Sequence, residues 1–355
     1  MTTRNILIMG ASYGALLASK FLFGGHHVHL VCRDETAALI NAQGIRVRMP
    51  VKGRQQPVEV GSRGLPGRLT ASPPGEVVPR DYDLVCLAMQ EPQYRSPGVR
   101  ELTEAVAKAK VPCMSVMNMP PSCYLKRIRG LNTHVLASAY ADPTVWSAFD
   151  PDLVTLCSPD PQAGRLPNEP ANVLQLTLAT NFKAARFTSD DHTAMLRRLA
   201  EEIEAIRWPT EAGEVELPVK LKVHDSLFTP LAKWPMLLTG NYRCVTANGA
   251  IAIREAVHGD IVASRRVYDF VCAVCTRLGA AADDLVPFEK YAAAAEGLTR
   301  PSSAARAVFS GAAHVERADR LVQIVAAQFG LRDPVVDETV ALINGRLAAN
   351  RQAAA

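Results

Sequence analysis

Several polar side chains in the second half of this 355-residue chain are of the types needed to work on a carbonyl group. Lys233 opens the stretch Lys-Trp-Pro-Met-Leu-Leu-Thr-Gly-Asn, which ends at Asn241; Asn248, the pair Ser302-Ser303 and Glu316 follow. An ammonium group can stabilise a developing oxyanion and then protonate it. Amides and a hydroxyl can orient a carbonyl or carboxylate in a pocket. On a helix, Lys233 and Asn241 fall about two turns apart on one face, with Pro235 disturbing only the start. Taken without the first half of the chain, the same residues also read as a solvated lysine and two capping asparagines.

A second set lies near the amino end, in Asn5-Ile-Leu-Ile-Met-Gly-Ala-Ser-Tyr-Gly-Ala15. A buried strand runs into Gly10, Ala11, Ser12, Tyr13, Gly14 and Ala15. The dinucleotide fingerprint asks for glycine at a tight turn, glycine where backbone meets a pyrophosphate, and Gly or Ala where helix packs on strand. Gly10, Ser12 and Ala15 occupy those places, with Gly14 beside the last. Ser12 departs from the pattern: its hydroxyl can donate to a phosphate, but its Cβ crowds the approach. Ordinary strand–turn–helix packing fits the pattern too, although a following strand and an ordered α/β alternation favour the nucleotide reading.

The elements that would position these residues follow from periodicity. Residues 5–10 form a first strand, 11–24 a crossover helix closed by Gly24-Gly25, and His27–Cys32 a second strand. Arg33-Asp34 stands at its end, where such folds read the adenosine ribose: a carboxylate suits a 2′-hydroxyl and an arginine a 2′-phosphate. Residues 45–80 read as short edge strands and loops. Asp83–Ala88 and Val111–Met117 are buried strands separated by an amphipathic helix over 99–110. Asn118 follows the second of these, either facing a ligand crevice or making an Asx turn. His134–Ala139, Leu153–Cys157, Val173–Leu176 and Ala184–Phe187 read as further strands. Ser189 then caps a helix over 190–206, and Trp208–Pro218 is a connection. Beyond residue 219 the pattern is helical, over about 225–245, 252–278, 287–297, 302–313, 315–329 and 334–348. The expected architecture is α/β: a Rossmann-type doubly wound sheet over 1–190, a connecting helix and linker over 191–218, and an all-helical substrate or dimerisation domain over 219–355.

Composition narrows the function. With 48% hydrophobic and 21% charged residues the chain is of globular type. A net charge of +4 gives no footprint for nucleic acid. No apolar run approaches the roughly 20 residues a membrane span needs, and the amino-terminal strand leaves no room for a secretory signal. The eight cysteines read as reduced thiols of a cytoplasmic protein. Cys272 and Cys275 form a single CxxC without a second pair or nearby histidines, which reads as core; no metal is expected.

The chain as a whole resembles the ketopantoate reductase family. The resemblance rests on NILIMGASYGA, the strand end VHLVCR, DLVCLAMQ, VMN at 116–118, and KWPMLLTGNYRCVTANG with SSAARAVFSGAAHVE, in the family's order. It implies a nicotinamide-dependent reductase of a 2-oxo acid. Gly10, Ser12 and Ala15 would stand at the family's pyrophosphate-loop positions, Arg33 at its 2′-phosphate arginine and Asn118 near nicotinamide and substrate. Lys233 matches its catalytic lysine, Asn241 and Asn248 its substrate amides, and Ser303 its carboxylate-binding serine. Glu316 matches a glutamate at the cofactor–substrate junction once one residue is inserted. The implied cofactor is NADP(H), with NAD left open, and the implied partners are a small-molecule substrate and a second copy in a homodimer, with neither nucleic acid nor membrane. Three positions depart: Gln90 replaces a lysine near the adenosine phosphate, Met119 a glycine, and Leu237 an asparagine. The last points to a more apolar substrate than ketopantoate. Two rival readings are an opine-type dehydrogenase using His224-Asp225 on an imine, and an NADP(H)-binding sensor without turnover.

Overall fold

Ile6–Met9 bury completely as β1 (Asn5–Met9), and the small residues after it lead into α1 (Gly14–Phe23). β2 (His27–Val31), α2 (Asp34–Gln43), β3 (Arg46–Met49), β4 (Val58–Gly61), β5 (Leu69–Ser72) and β6 (Leu84–Leu87) follow. Next come α3 (Val99–Ala109), β7 (Cys113–Val116), the single turn α4 (Ser122–Leu125) and β8 (Val154–Ser158). β9 (Gln162–Gly164), β10 (Val173–Leu178), β11 (Phe182–Ala185) and α5 (Asp190–Glu204) continue the chain. The computed structural model describes residues 2–52, 54–210 and 213–354.

With β14 (Leu221–His224), eight strands make the main sheet, in the order β14-β11-β8-β7-β6-β1-β2-β5. From β5 to β8 every neighbouring pair is parallel. Taken in chain order, these six strands lie 3-2-1-4-5-6, the dinucleotide-fold arrangement, and the order reverses between β1 and β6. The last two strands run the other way: β11 is antiparallel to β8, and β14 parallel to β11. β3, β4, β9 and β10 form a separate four-stranded sheet, and Val47 and Met49 of β3 share one core with α1 and the main sheet.

The contacts divide the chain into two compact units. Unit 1 comprises Met1–Met89, Gln93–Tyr124 and Val145–Asp225, and unit 2 Gln90–Pro92, Leu125–Thr144 and Ser226–Ala355. α5 belongs to unit 1, with Ser189 capping it and Asp190 and Asp191 in its first turn, as its sequence dictates. The stretch expected as a connection carries two short strands. β12 (Arg207–Thr210) pairs antiparallel with β13 (Gly213–Glu216), and Trp208 lies edge-on to Phe23; Glu211 and Ala212 lie outside the described residues.

In unit 2, His134–Ala139 is a 3₁₀ turn and not the expected strand. Its buried residues, Leu136 and Ala139, are three apart, matching the three-residue repeat of that helix instead of strand alternation. The expected helix over 225–245 divides into a 3₁₀ turn at Thr229–Ala232, α6 (Lys233–Met236) and a π turn at Leu237–Asn241. The small hairpin of β15 (Val245–Thr246) and β16 (Gly249–Ala250) follows. The expected helix over 252–278 breaks at Gly259-Asp260 into α7 (Ile253–His258) and α8 (Ile261–Leu278), because Asp260 Oδ1 accepts from the Ala263 amide and caps a new helix. α9 (Phe288–Ala295), α10 (Ser303–Phe309), α11 (Ala318–Gln328) and α12 (Pro334–Ala354) complete the unit.

All eight cysteines are free; six are buried, and Cys32 and Cys272 half-buried. Cys272 and Cys275 lie on α8, where burial pushes both thiols up. Among the described residues no helix is long and apolar enough to cross a membrane, and no cluster of His, Cys, Asp and Glu is placed to hold a metal ion.

Candidate active site

The turn after β1 stands where the strand order reverses. Gly10 has φ 113°, and a Cβ there would lie 2.7 Å from the Ala88 carbonyl oxygen at the end of β6. Its amide donates to the Val31 carbonyl at 3.0 Å, so strand ends from both sides fix this turn. A Cβ at Gly14 would meet Ile8 Cγ2 at 2.7 Å. The close helix–strand packing expected of Ala15 therefore falls to Gly14; Ala15 and Ala11 are simply buried. Ser12 is exposed at the amino end of α1, whose first turn carries no acid. A glycine cradle and an open helix amino end suit an anionic pyrophosphate. Tyr13 has another task. Its hydroxyl donates to the Pro161 carbonyl at 2.7 Å and its ring meets Phe182 edge-on at 5.8 Å, and burial raises its pKa well above the usual range.

Arg33 is exposed at the end of β2, in the N-cap position of α2. Sequence reading did not single out its neighbour Arg165, just past β9. Partial burial, then the Arg33 guanidinium, lower the Arg165 pKa. Burial pushes the Cys32 thiol up to about 11, with Arg165 and Arg33 acting against it. Two guanidinium groups thus gather around the end of β2, although they stand far apart in the chain. Asn118 lies half-buried two residues past β7, the fifth strand of the parallel set.

Unit 2 holds the set that begins at Lys233. Lys233 is half-buried at the start of α6, beside the fully buried Trp234. In a regular α-helix, eight residues overshoot two turns by about 80°. The π turn, closed by the Tyr242 amide on the Leu237 carbonyl at 2.9 Å, takes up about one extra residue. That leaves Asn241 roughly 20° short of two turns from Lys233, closer to its face than a regular helix would place it. Gly240 permits this turn, since a Cβ there would overlap the Tyr291 hydroxyl, itself bonded to the Met236 carbonyl. The serine that touches this segment is Ser302, not Ser303. Ser302 Oγ donates to the Asn241 carbonyl at 2.6 Å and caps α10, while Ser303 is exposed as the first residue of that helix. The Ser-Ser pair ahead of a helix was a legible N-cap signal.

Glu316 is buried, and its Oε1 accepts from the Glu91 amide at 3.3 Å; Glu91, also buried, accepts from the Ala141 amide at 3.2 Å. Tyr242, next to Asn241, donates to the Glu316 carbonyl at 2.7 Å and accepts from the Ala318 amide at 3.0 Å. The lysine helix, Ser302 and Glu316 are therefore tied into one assembly. Tyr242→Phe leaves two buried backbone groups unsatisfied, so it is expected to lower stability by about 1–3 kcal/mol, read as a lower urea midpoint. Asn248 is not drawn in by any such bond; it is exposed in the turn between β15 and β16, its amide donating to Thr246 Oγ1. Gln90 is exposed and belongs to unit 2 by its contacts.

Register separates the rival pair from Asn118. Three inter-strand steps lie between β14 and β7, about 14 Å at the usual spacing. β14 also runs against β7, so the chain leaves His224 toward the opposite edge of the sheet. Asp225 is paired with Arg197 at 2.6 Å.

No protein-family model matches the chain, and no curated protein matches it in sequence. Solved structures match along nearly the whole length. A ketopantoate reductase from Ralstonia eutropha JMP134 superposes with a TM-score of 0.65 at 15% identity, over 98% of this chain and 99% of its own. A D-mandelate dehydrogenase solved with NADH and anilino(oxo)acetate gives 0.62 at 14% identity, over 98% and 99%. A dimeric ketopantoate reductase from Staphylococcus aureus gives 0.60 at 9% identity, over 98% and 99%. The chain thus has the fold shared by these proteins: a Rossmann-type sheet followed by a helical region.

Proposed function

We propose that this protein is an NADPH-dependent reductase of a 2-oxo acid, a divergent relative of ketopantoate reductase. The observation that carries the proposal is the segment from Lys233 to Asn241, bonded at its end to Ser302 and through the adjoining Tyr242 to Glu316, in a chain whose other unit offers a nucleotide cradle at Gly10. The parallel strand order and the fold shared with enzymes that handle 2-oxo acids and mandelate support the reading.

In unit 1, Gly10, Ala11, Ser12 and Gly14 hold the pyrophosphate, Arg33 with Arg165 the 2′-phosphate, and Asn118 the nicotinamide end. The bound cofactor supplies a hydride to the carbonyl carbon. Lys233 stabilises the oxyanion and donates its Nζ proton to it. Asn241 orients the substrate, and Glu316 fixes the groups around it. The apolar Leu237, where the family carries an amide, supports a substrate with a more apolar side chain. A homodimer is proposed by analogy with the dimeric Staphylococcus enzyme, and a cytoplasmic location from eight free thiols.

The test is NADPH oxidation against a panel of 2-oxo acids. Turnover with at least one is expected; cofactor binding without turnover across the panel would move the protein to a sensor role. Arg165→Ala separates NADP from NAD. Loss of a charge-assisted bond to the 2′-phosphate should weaken NADPH about tenfold or more and leave NADH unchanged in fluorescence titrations. Equal weakening of both cofactors would remove Arg165 from the phosphate site.

A further inference from the structure

Unit 2 contains a cavity of about 330 Å³ that none of the roles above uses. Its walls carry Arg317, Arg320, Arg351, His314, Asn344 and Ser138. Arg317 is neutralised at its back: Nε and Nη2 each donate to the fully buried Asp319 carboxylate at 2.9 Å, and Nη1 donates to Asn344 Oδ1 at 2.7 Å. With that oxygen engaged, what Asn344 has left to offer is its amide donors. Arg320 and Arg351 are different. Arg320 donates to the Ser138 carbonyl and hydroxyl at 3.1 and 3.2 Å, and Arg351 to the Ala313 carbonyl at 3.3 Å. Among the described residues neither has a carboxylate partner, and no acid lines the cavity.

Two uncompensated guanidinium groups facing one concavity, with amide and hydroxyl donors between them, match the needs of a compact oxyanion. The amino end of α11 adds to the positive field, since Arg317 is its N-cap and Arg320 lies in its first turn. The volume falls at the lower end of small-molecule sites, which run from about 300 to 1,000 Å³.

We propose that this cavity is a second binding site, taking a small phosphorylated metabolite, and that its occupancy adjusts Glu316. The coupling rests on the role given to Glu316 above; the binding does not. The connection is short. Val315 and Arg317, both in the cavity wall, flank Glu316 in the chain, and Ala141, also in that wall, bonds Glu91, whose amide bonds Glu316.

Isothermal titration of the full chain with inorganic phosphate, at ionic strength held constant with chloride, tests the site. Phosphate binding at the cavity should survive in Arg33→Ala with its wild-type affinity. Arg320→Gln/Arg351→Gln should bind at least about tenfold more weakly, as expected for lost charge-assisted bonds. Arg351→Gln alone, on the exposed last turn of α12, serves if the double variant fails to fold. Binding abolished by Arg33→Ala but not by the arginine pair would place the anion in the nucleotide site and overturn the proposal. Absence of binding to wild type at millimolar phosphate would do the same. For coupling, phosphate should shift the KM for the 2-oxo acid in wild type and not in the double variant. An equal shift in both overturns that half. If no 2-oxo acid turns over, the function assigned above fails while the titration still decides the site.

Discussion

Lys233→Ala is expected to lower kcat for 2-oxo acid reduction by about 10²–10⁴-fold. That range corresponds to roughly 3–5 kcal/mol of transition-state stabilisation. The side chain is asked both to stabilise charge on the substrate oxygen and to deliver a proton, and alanine removes both. Its environment favours a fixed position: the neighbouring Trp234 is fully buried, and the π turn that follows is braced by Tyr242 and Tyr291. Affinity for NADPH should be unchanged, because the cradle at Gly10 belongs to unit 1. Steady-state kinetics with fluorescence titration of the cofactor provide the check. A kcat within about tenfold of wild type would take the proton donor's role away from Lys233.

Lys20→Met is expected to stabilise the protein near neutral pH by up to a few kcal/mol, on the order of the linkage of one buried lysine. Lys20 lies within α1 and is only 1% exposed, its Nζ donating to the Pro218 carbonyl at 2.5 Å and resting on Met49 Sδ. Burial, then the nearby Lys220 ammonium, pull its pKa from 10.5 to about 7. The folded value lies below the unfolded one, so between pH 7 and 10.5 the unfolded chain binds the additional proton. This residue's contribution to stability therefore improves as pH rises through that window, and its full penalty applies below pH 7. Methionine removes the penalty at similar volume, less about 1 kcal/mol for the lost bond to Pro218. Urea melts at pH 7 and pH 9.5 decide the matter. Wild type should gain stability between the two through this group, and the variant should show a smaller gain. A destabilised variant with the wild-type pH slope would contradict the account.

Much of unit 1 was legible in local sequence. Ile6–Met9 followed by Gly10, the alternation in His27–Val31 and the runs at 84–87 and 113–116 each carry their own period and punctuation. Their lateral order does not, because strand pairing is set by contacts distant in the chain. Thus the separate sheet of β3, β4, β9 and β10 went unread, and with it the meeting of Arg33 and Arg165. In unit 2, Lys233, Asn241 and Glu316 were singled out by resemblance, whereas Tyr242 and Glu91, which bond to Glu316, had no signal beyond an aromatic and an acid. The strand expected at 134–139 failed because a short apolar run fits several periods. The break at Gly259-Asp260 was legible as a cap and was passed over within a longer helical pattern. Asn248 matched by spacing alone, and a two-residue turn needs such a residue whatever its role.

The arrangement of the thiols has a practical consequence. Six of the eight are sealed inside the fold and two are partly reachable, so an alkylating reagent consumes them in two kinetic classes. The slow class reports how often the interior opens to solvent, and the chain therefore carries an internal clock for its own breathing, readable by mass without any added label.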